Sequence, residues 1–441
     1  MNTSSWRQYV NRIIGSEISA FSRYYSKLIQ WKISKHDSGL IFRFIECPVK
    51  KRLLDDSDFP DLANQRKQHT LVLLNGTFNH HYDIQDLLQK LKPKLSRTSR
   101  IVVVTYNPYY KWLYWLANKL RIRKGELPHT FLTRTSLNNL SIISGYDVVK
   151  LRPVVYCPFR LKGIGSFINR ILPAIPFIRD FALAHIIVLR PIKKESSTPS
   201  LSIIIQARNE KGNIENAIKR MQHLNKIDLE VVFVEGHSQD GTWEEILRVK
   251  KEYSSTFNIQ AFQQTGHGKG NAVRLGFSAA TKDLLTILDA DLTMPPEKLN
   301  RFYNAYCNGI ADFINGSRLI YPMEGKAMRF LNLLGNVFYS KVLSYVLDTK
   351  LSDSLCGTKL LSRSDYQRFV SWRKDFGDFD PFGDFELLFP AAILSLGIVD
   401  IPIRYLDRTY GSTNIKRFRH GLMLLKMVSI GAMRIKLSRI Y

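Results

Sequence analysis

Cysteine is scarce in this chain. Cys47, Cys157, Cys307 and Cys356 lie far apart in 441 residues and none belongs to a CxxC pair, which argues against a disulfide framework and for reduced, buried thiols in a cytosolic setting. Long apolar runs are missing too. The longest strongly apolar, uncharged run, Leu387–Val399, carries a proline and falls short of the roughly 20 residues that a spanning helix needs. The first 35 residues scatter Arg and Lys among aromatics without a clean apolar centre, so no signal peptide is expected. Acids are in short supply as well, with 38 Asp+Glu against 64 Lys+Arg, a net charge of +26. Such a surplus attracts polyanions, among them anionic lipid headgroups and phosphorylated substrates. A basic nucleic-acid or scaffold protein is the non-enzymatic alternative, but no nucleic-acid motif is present and the charges are dispersed, so no nucleic-acid partner is expected.

What is present has an α/β rhythm across a chain long enough for two or three domains. Residues 1–68 are basic, aromatic and without a sustained period, and read as a helical or irregular region. From residue 69 to 194 strands alternate with helices: TLVLLNG and SRIVVVTYNPYY read as strands, YDIQDLLQKLKPKL and KWLYWLANKLR as helices, and FALAHIIVLRPI as a closing strand. His80, His81 and Asp83 lack a third ligand at a metal-binding spacing, so a structural role is expected for them. The segment Gly163–Asp180 mixes Ile, Phe and Pro with Arg170 and Arg179, and is read either as a lipid contact or as packing.

The run LVLLNGTFNHHYDIQDLLQKLKP, the strand Ile101–Tyr106 and the pattern FLTRTSLNNLSIISGYDVVKLRP resemble the C-terminal half of a class I S-adenosylmethionine-dependent methyltransferase. That resemblance implies a partial Rossmann-like fold. The Gly-rich turn and the acidic residue that hold the cofactor in that family have no counterpart in Met1–Gln68, so the expected domain is degenerate and without cofactor.

A polar linker, KKESSTPS at 193–200, introduces the second rhythm. LSIIIQ at 201–206 and LEVVFVEG at 229–236 read as strands, and GHGKGNAVRLGFSAA is a glycine-rich loop entering a helix. LLTILDADLTMPP at 284–296 delivers Asp289 and Asp291 to the C-terminal end of a buried strand, where open α/β sheets bind ligands. Two carboxylates there can hold a hard divalent cation, and the cation can hold a diphosphate. Gly266, Gly268 and Gly270 allow close backbone approach, and Lys269 with Arg274 brings positive charge to the same place.

LSIIIQARNE, VVFVEGHSQDGT, GHGKGNAVRLGF, LLTILDADL, DFINGSRL, SDSLCGTKLLSR and RTYGSTNI, in that order, resemble a family 2 glycosyltransferase of the GT-A fold, nearest the dolichyl- or polyprenyl-phosphate mannose synthase branch. The resemblance covers 195–418 as the expected domain and leaves 419–441 as a basic amphipathic helix. It implies that Glu210 and Glu235 contact the nucleoside, with Asp240 holding their loop and Arg208 beside them. Asp289 is then on the ribose or base side and Asp291 ligates Mg²⁺ or Mn²⁺. Two departures stand out. Glu235-Gly236-His237 replaces the usual two aspartates and glycine, leaving the base open, and Ser412-Thr413-Asn414 lacks the lysine that relatives often place after the serine.

Arg318, Arg408 and Lys269 are the candidate cations for a departing diphosphate. Asp353, Asp384 and Glu386 are the candidate acids, the last two read equally as site groups or helix caps. The expected function is a metal-dependent, inverting transfer of a sugar from a GDP- or UDP-linked donor to a polyprenyl phosphate or envelope glycan. Its expected place is the cytoplasmic face of an anionic membrane, with RFLNLLGNVFYSKVLSYV at 329–346 and GLMLLKMVSIGAMRIKL at 421–437 as interfacial or core helices. A bifunctional methyltransferase and glycosyltransferase is the other enzymatic reading.

Overall fold

The computed structural model describes residues 3–32, 37, 39–53, 59–65, 68–121, 126–224, 226–322, 330–377, 383–410 and 417–437. These fall into two compact units, 1–192 with 393–395 and 431–441, and 193–392 with 396–430.

In the first unit β1 (Lys27–Gln30), β2 (Val49–Arg52), β3 (Thr70–Asn75), β4 (Arg100–Tyr106), β5 (Tyr146–Val154) and β6 (Ala184–Pro191) form one sheet, ordered β2-β1-β3-β4-β6-β5. The first four strands in that order run parallel, and β6 is antiparallel to both β4 and β5. No strand was expected before residue 69, yet β1 and β2 are strands. KLIQ is too short to show a period, and the four residues of β2, VKKR, are all exposed, so neither carries the apolar signal that marks a strand. Asp83 is a structural residue: it caps the helix Ile84–Leu91 by accepting the Asp86 N–H at 2.9 Å, and His81 Nδ1 accepts the Asp83 N–H.

His185 lies on β6 opposite Thr105. Burial disfavours its imidazolium and brings its pKa down to about 4, with Asp180 opposing and Arg134 and Arg179 reinforcing. Between the ordinary value near 6.5 and that native value the unfolded chain binds a proton that the folded chain does not. Stability therefore falls as pH drops through this window, by about 2 kcal/mol for a partly exposed ring. Urea unfolding at pH 7 and pH 4.5 should show this loss in the natural chain and a smaller one in His185→Gln.

In the second unit β7 (Leu201–Ala207), β8 (Leu229–Glu235), β9 (Asn258–Gln263), β10 (Leu284–Asp289), β11 (Phe313–Ser317), β12 (Lys359–Ser362) and β13 (Ile398–Pro402) are ordered β13-β11-β12-β10-β7-β8-β9. β10, β7, β8 and β9 run parallel, while β12 is inserted antiparallel between β10 and β11. β7 and β8 are Ile- and Val-rich and almost wholly buried, as strands covered on both faces must be. The chain winds outward through β8 and β9, then returns to the other side of β7 as β10. The carboxyl ends of β7 and β10 thus flank a topological switch point, where a ligand crevice forms.

All four cysteines are free, but only Cys356 is buried; Cys47, Cys157 and Cys307 are half-exposed, contrary to expectation. Burial pushes the Cys356 thiol up to about 12, outweighing the nearby Arg318. Among the described residues no helix is long and apolar enough to cross a membrane.

Candidate active site

Register brings three strand ends to one level. Asp289 on β10 pairs with Gln206 on β7, and Ala207 on β7 pairs with Glu235 on β8. Just beyond these ends the backbone turns sharply through three residues other than glycine with positive φ: Asn209 (+56°), His237 (+58°) and Leu292 (+53°). Each such residue costs about 1 kcal/mol or more, and three of them gather at the crevice.

The loops after β7 and β8 clasp each other. Asn209 N–H donates to Ser238 Oγ at 2.9 Å, Gln239 N–H donates to Asn209 Oδ1 at 2.9 Å, and Glu210 N–H donates to Thr242 Oγ1 at 3.0 Å. Glu235 accepts the Ser238 N–H, which fixes the turn that follows it. Asp240 accepts the Lys211 N–H and the Tyr410 hydroxyl at 3.2 Å each. The sequence reading missed Tyr410, whose ring packs on Gly212 so closely that a Cβ there would lie 2.7 Å from it.

The two acids of the central motif each hold a cation. Asp289 Oδ1 accepts Lys269 Nζ at 2.7 Å and the amide of Gln206. Burial opposes ionisation of Asp289, but Lys269, Arg318 and Lys359 together outweigh it and hold the carboxyl below its usual range. Burial likewise works against the Lys269 charge, and Asp289 and Asp384 overcome it to raise its pKa. Asp291 accepts Arg408 Nη2 at 2.6 Å, and Arg408 Nη1 reaches Glu210 at 3.1 Å. One guanidinium therefore spans Glu210 and Asp291. Burial pushes the Glu210 carboxyl up, with the Asn213 amide and Arg408 opposing and Asp291 adding to it. Thr293 donates its N–H and hydroxyl to Asp291 Oδ1 at 3.1 and 2.8 Å, fixing the rotamer.

The glycine loop feeds the same place. Gly268 has φ +87° and precedes the helix Lys269–Ala279, which sets Lys269 at the first helical position. A second glycine, Gly357, was not foreseen: a Cβ there would collide with both Lys269 Nζ and Asp289 Oδ2. Its only signal in the sequence is its place in SDSLCGTK.

Several expected site residues lie elsewhere or in other roles. Arg274 does not join Lys269 at Asp289; it pairs with Glu386 at 3.3 Å, and Arg373 holds the other Glu386 oxygen at 3.2 Å. Asp384 accepts the buried Lys359 Nζ at 2.6 Å and stays close enough to Lys269 to support its charge. Asp353 is wholly buried, accepts Arg318 Nε and Nη2 at 2.7 and 2.9 Å, and also takes the N–H groups of Arg318 and Leu355. These four hydrogen bonds occupy the lone pairs that a general base would turn to a substrate. Arg318 in turn lies over the Tyr405 ring, 5.5 Å from its centroid. Arg208 is exposed at the crevice rim, and Ser412 lies outside the described residues.

Residues 202–369 match the profile of glycosyl transferase family 2. A dolichol-phosphate mannosyltransferase of Pyrococcus furiosus is 34% identical over 146 residues, 33% of this chain and 38% of that protein. Glycosyltransferase AglD of Haloferax volcanii is 25% identical over 219 residues, 48% of this chain and 34% of that protein. The chain thus spans well under half the length of these relatives. The crystal structure of glucosyl-3-phosphoglycerate synthase from Mycobacterium tuberculosis with Mn²⁺ and UDP-glucose aligns with a TM-score of 0.39 at 15% identity, covering 55% of this chain and 80% of that one. The profile match takes in the parallel strands β7 to β10 and the crevice at their carboxyl ends, so the likeness to glycosyl transferase family 2 falls on residues 202–369 of the second unit.

Proposed function

We propose that this chain transfers a hexose from a GDP- or UDP-linked donor to a polyprenyl phosphate, with inversion, at the cytoplasmic face of an anionic membrane. The observation that carries this reading is the Glu210–Arg408–Asp291 and Lys269–Asp289 cluster at one switch point, beside a glycine loop. Asp289 and Asp291 offer the hard oxygen donors that Mg²⁺ or Mn²⁺ prefers, and Lys269 and Arg408 now hold them in a cation's stead. Among the described residues no group of three or more His, Cys, Asp or Glu is placed around a metal position. Two carboxylates with the donor diphosphate and water suffice for such ions, so the residues fit. When bound, the ion supplies Lewis-acid stabilisation of the leaving diphosphate.

The remaining work belongs to the chain's own side chains. The clasped loops around Glu210, Glu235 and Asp240 form the nucleoside side, and Arg208 guards the rim. Lys269 stands at a helix N-terminus, where a phosphate oxygen gains both its charge and the helix dipole. Arg318 is fixed by Asp353 as a second cation facing the crevice past Tyr405. Each of the three candidate acids is held by a cation, Asp353 by Arg318, Asp384 by Lys359 and Glu386 by Arg274 and Arg373. That favours a phosphate acceptor over a glycan hydroxyl, because a phosphate is already ionised and needs positioning rather than deprotonation. Leu334 and Phe338 on the helix Phe330–Leu347, and Leu422 and Leu425 on the helix Arg417–Gly431, are exposed and offer apolar contact for the lipid tail. Incubation with a panel of nucleotide sugars should release nucleoside diphosphate only with Mg²⁺ or Mn²⁺, and faster with added polyprenyl phosphate. Release without metal, or faster release with a glycan acceptor, would sink the corresponding part.

The first unit is read as a methyltransferase-like sheet without its cofactor. Its own switch point, between β1 and β3, is laced by Asp37, which accepts the Asn75 amide at 3.3 Å, the Gly39 N–H at 2.8 Å and the Gln30 amide. Arg52 ends β2, where a ribose-binding acid would stand. Calorimetry with S-adenosylmethionine should show no heat; saturable micromolar binding would instead support the bifunctional reading.

A further inference from the structure

The helix Ile164–Ile171 is built inside out. It buries Gly165 and Asn169, while Ile164 and Phe167 remain 62% and 65% exposed. The orientation is locked. Asn169 Oδ1 accepts the N–H groups of Tyr156 and Cys157 at 2.7 and 3.0 Å, and its amide donates to Cys157 O at 2.8 Å and to the Tyr9 hydroxyl at 3.2 Å. Gly165 packs so tightly on the Phe159 carbonyl that a Cβ would clash with it. Rolling the helix to hide Phe167 would break four hydrogen bonds to a buried amide, each costly to leave unmade.

A neighbouring helix has the same character. Lys111–Lys119, KWLYWLANK, buries none of its residues, and Trp112 and Trp115 are 62% and 51% exposed. It is joined to the segment after Ile171: the Tyr110 hydroxyl donates to Phe181 O at 2.8 Å, Tyr109 and Phe181 have ring centroids 6.3 Å apart, and the Asn107 amide donates to Asp180 O at 2.7 Å. That segment leaves Phe177 89% exposed, and the Tyr156 hydroxyl, next to the Asn169 anchor, donates to Arg179 O at 2.9 Å. The exposed aromatics therefore lie on segments tied to one another in the first unit, and form one surface region of it. Monomeric proteins in water rarely expose so many neighbouring rings, and where they do the rings mark an interaction surface.

We infer that this face docks the first unit onto an anionic lipid bilayer. The charge around the rings selects that occupant. Residues 107–121 carry Lys111, Lys119 and Arg121 and no acid, and residues 156–183 carry Arg160, Lys162, Arg170 and Arg179 with Asp180 as the one acid. Lys119 Nζ lies 5.0 Å from the Trp115 ring centroid. Trp and Phe among Lys and Arg is the composition of an interfacial surface: rings enter the headgroup boundary while long cationic side chains reach the phosphates. This inference extends the membrane location proposed above but needs none of the second unit's chemistry.

The test uses the full chain and vesicles of equimolar phosphatidylglycerol and phosphatidylcholine, with pure phosphatidylcholine as the neutral arm. The protein should sediment with the anionic vesicles, less so at high salt, and brominated acyl chains should quench its tryptophan fluorescence. Trp112→Ser with Phe167→Ser should lower the partition coefficient about tenfold or more, and Lys111→Glu with Lys162→Glu should do the same. Thermal melts would verify that both variants remain folded. Binding unchanged in both variants, or no quenching, overturns the inference. So does a natural chain that is dimeric by light scattering and becomes monomeric in Trp112→Ser with Phe167→Ser, since the face would then be covered by a second copy. Donor hydrolysis measured without lipid should be the same in these variants; its absence from the natural chain would count against the catalytic reading and leave the vesicle result standing.

Discussion

Asp291→Asn should lower release of nucleoside diphosphate from the donor by about a thousandfold, roughly 4 kcal/mol of transition-state stabilisation, with little change in stability. Asparagine keeps an oxygen for the Thr293 N–H and hydroxyl, which set the rotamer of Asp291, so the loop should persist. What it removes is the negative charge that faces Arg408 at 2.6 Å and that would hold a divalent ion. Mn²⁺ titration followed by electron paramagnetic resonance should show weakened binding in this variant independently of turnover. Arg408→Ala provides the contrast. Without that guanidinium, Asp291 and Glu210 lose their shared cation, so Mn²⁺ should bind at least as tightly while turnover falls only if Arg408 also assists the leaving group. Unchanged Mn²⁺ affinity in Asp291→Asn would remove the metal role from this residue.

The carboxyl edge of the parallel strands was legible because its physics is local. Strands buried on both faces are continuous runs of Ile, Leu and Val, as in LSIIIQ and LLTILD, and polar residues directly after them mark the carboxyl edge. Gln206 could have been read the same way, as the one polar side chain closing β7. Long-range pairing left no comparable trace. Asp353 meets Arg318, Asp384 meets Lys359, and Glu386 meets Arg274 across intervals with no periodicity, so the ion pairs of the three candidate acids left no signal along the chain. The same holds for Arg408, which reaches Glu210 and Asp291 from far along the chain. In the first unit, β1 and β2 escaped notice because edge and near-edge strands of four residues, one of them fully exposed, need no apolar pattern.

The role of Asp353 is the sharpest case, because its two readings predict different observables. As the anchor of Arg318 it is a buried acid with both oxygens taken. Burial alone would push its carboxyl up, yet Arg318 and two backbone N–H groups outweigh that and hold it below its ordinary value. The pair therefore contributes fully above the unfolded pKa near 4 and is lost as pH falls below it. Asp353→Ala leaves the 13%-exposed guanidinium and two N–H groups without their acceptor, and should cost about 3–5 kcal/mol in urea unfolding. Arg318→Met should cost less, since the backbone donors still serve the carboxylate, and the double-mutant cycle should show strong coupling between the two. A catalytic base predicts the reverse pattern: near-native stability in Asp353→Asn, a kcat lowered by orders of magnitude, and loss of the acidic limb from the pH profile. Measuring stability and the kcat profile on the same variants separates the two, and a stable Asp353→Asn lacking only that limb would return the residue to the reaction itself.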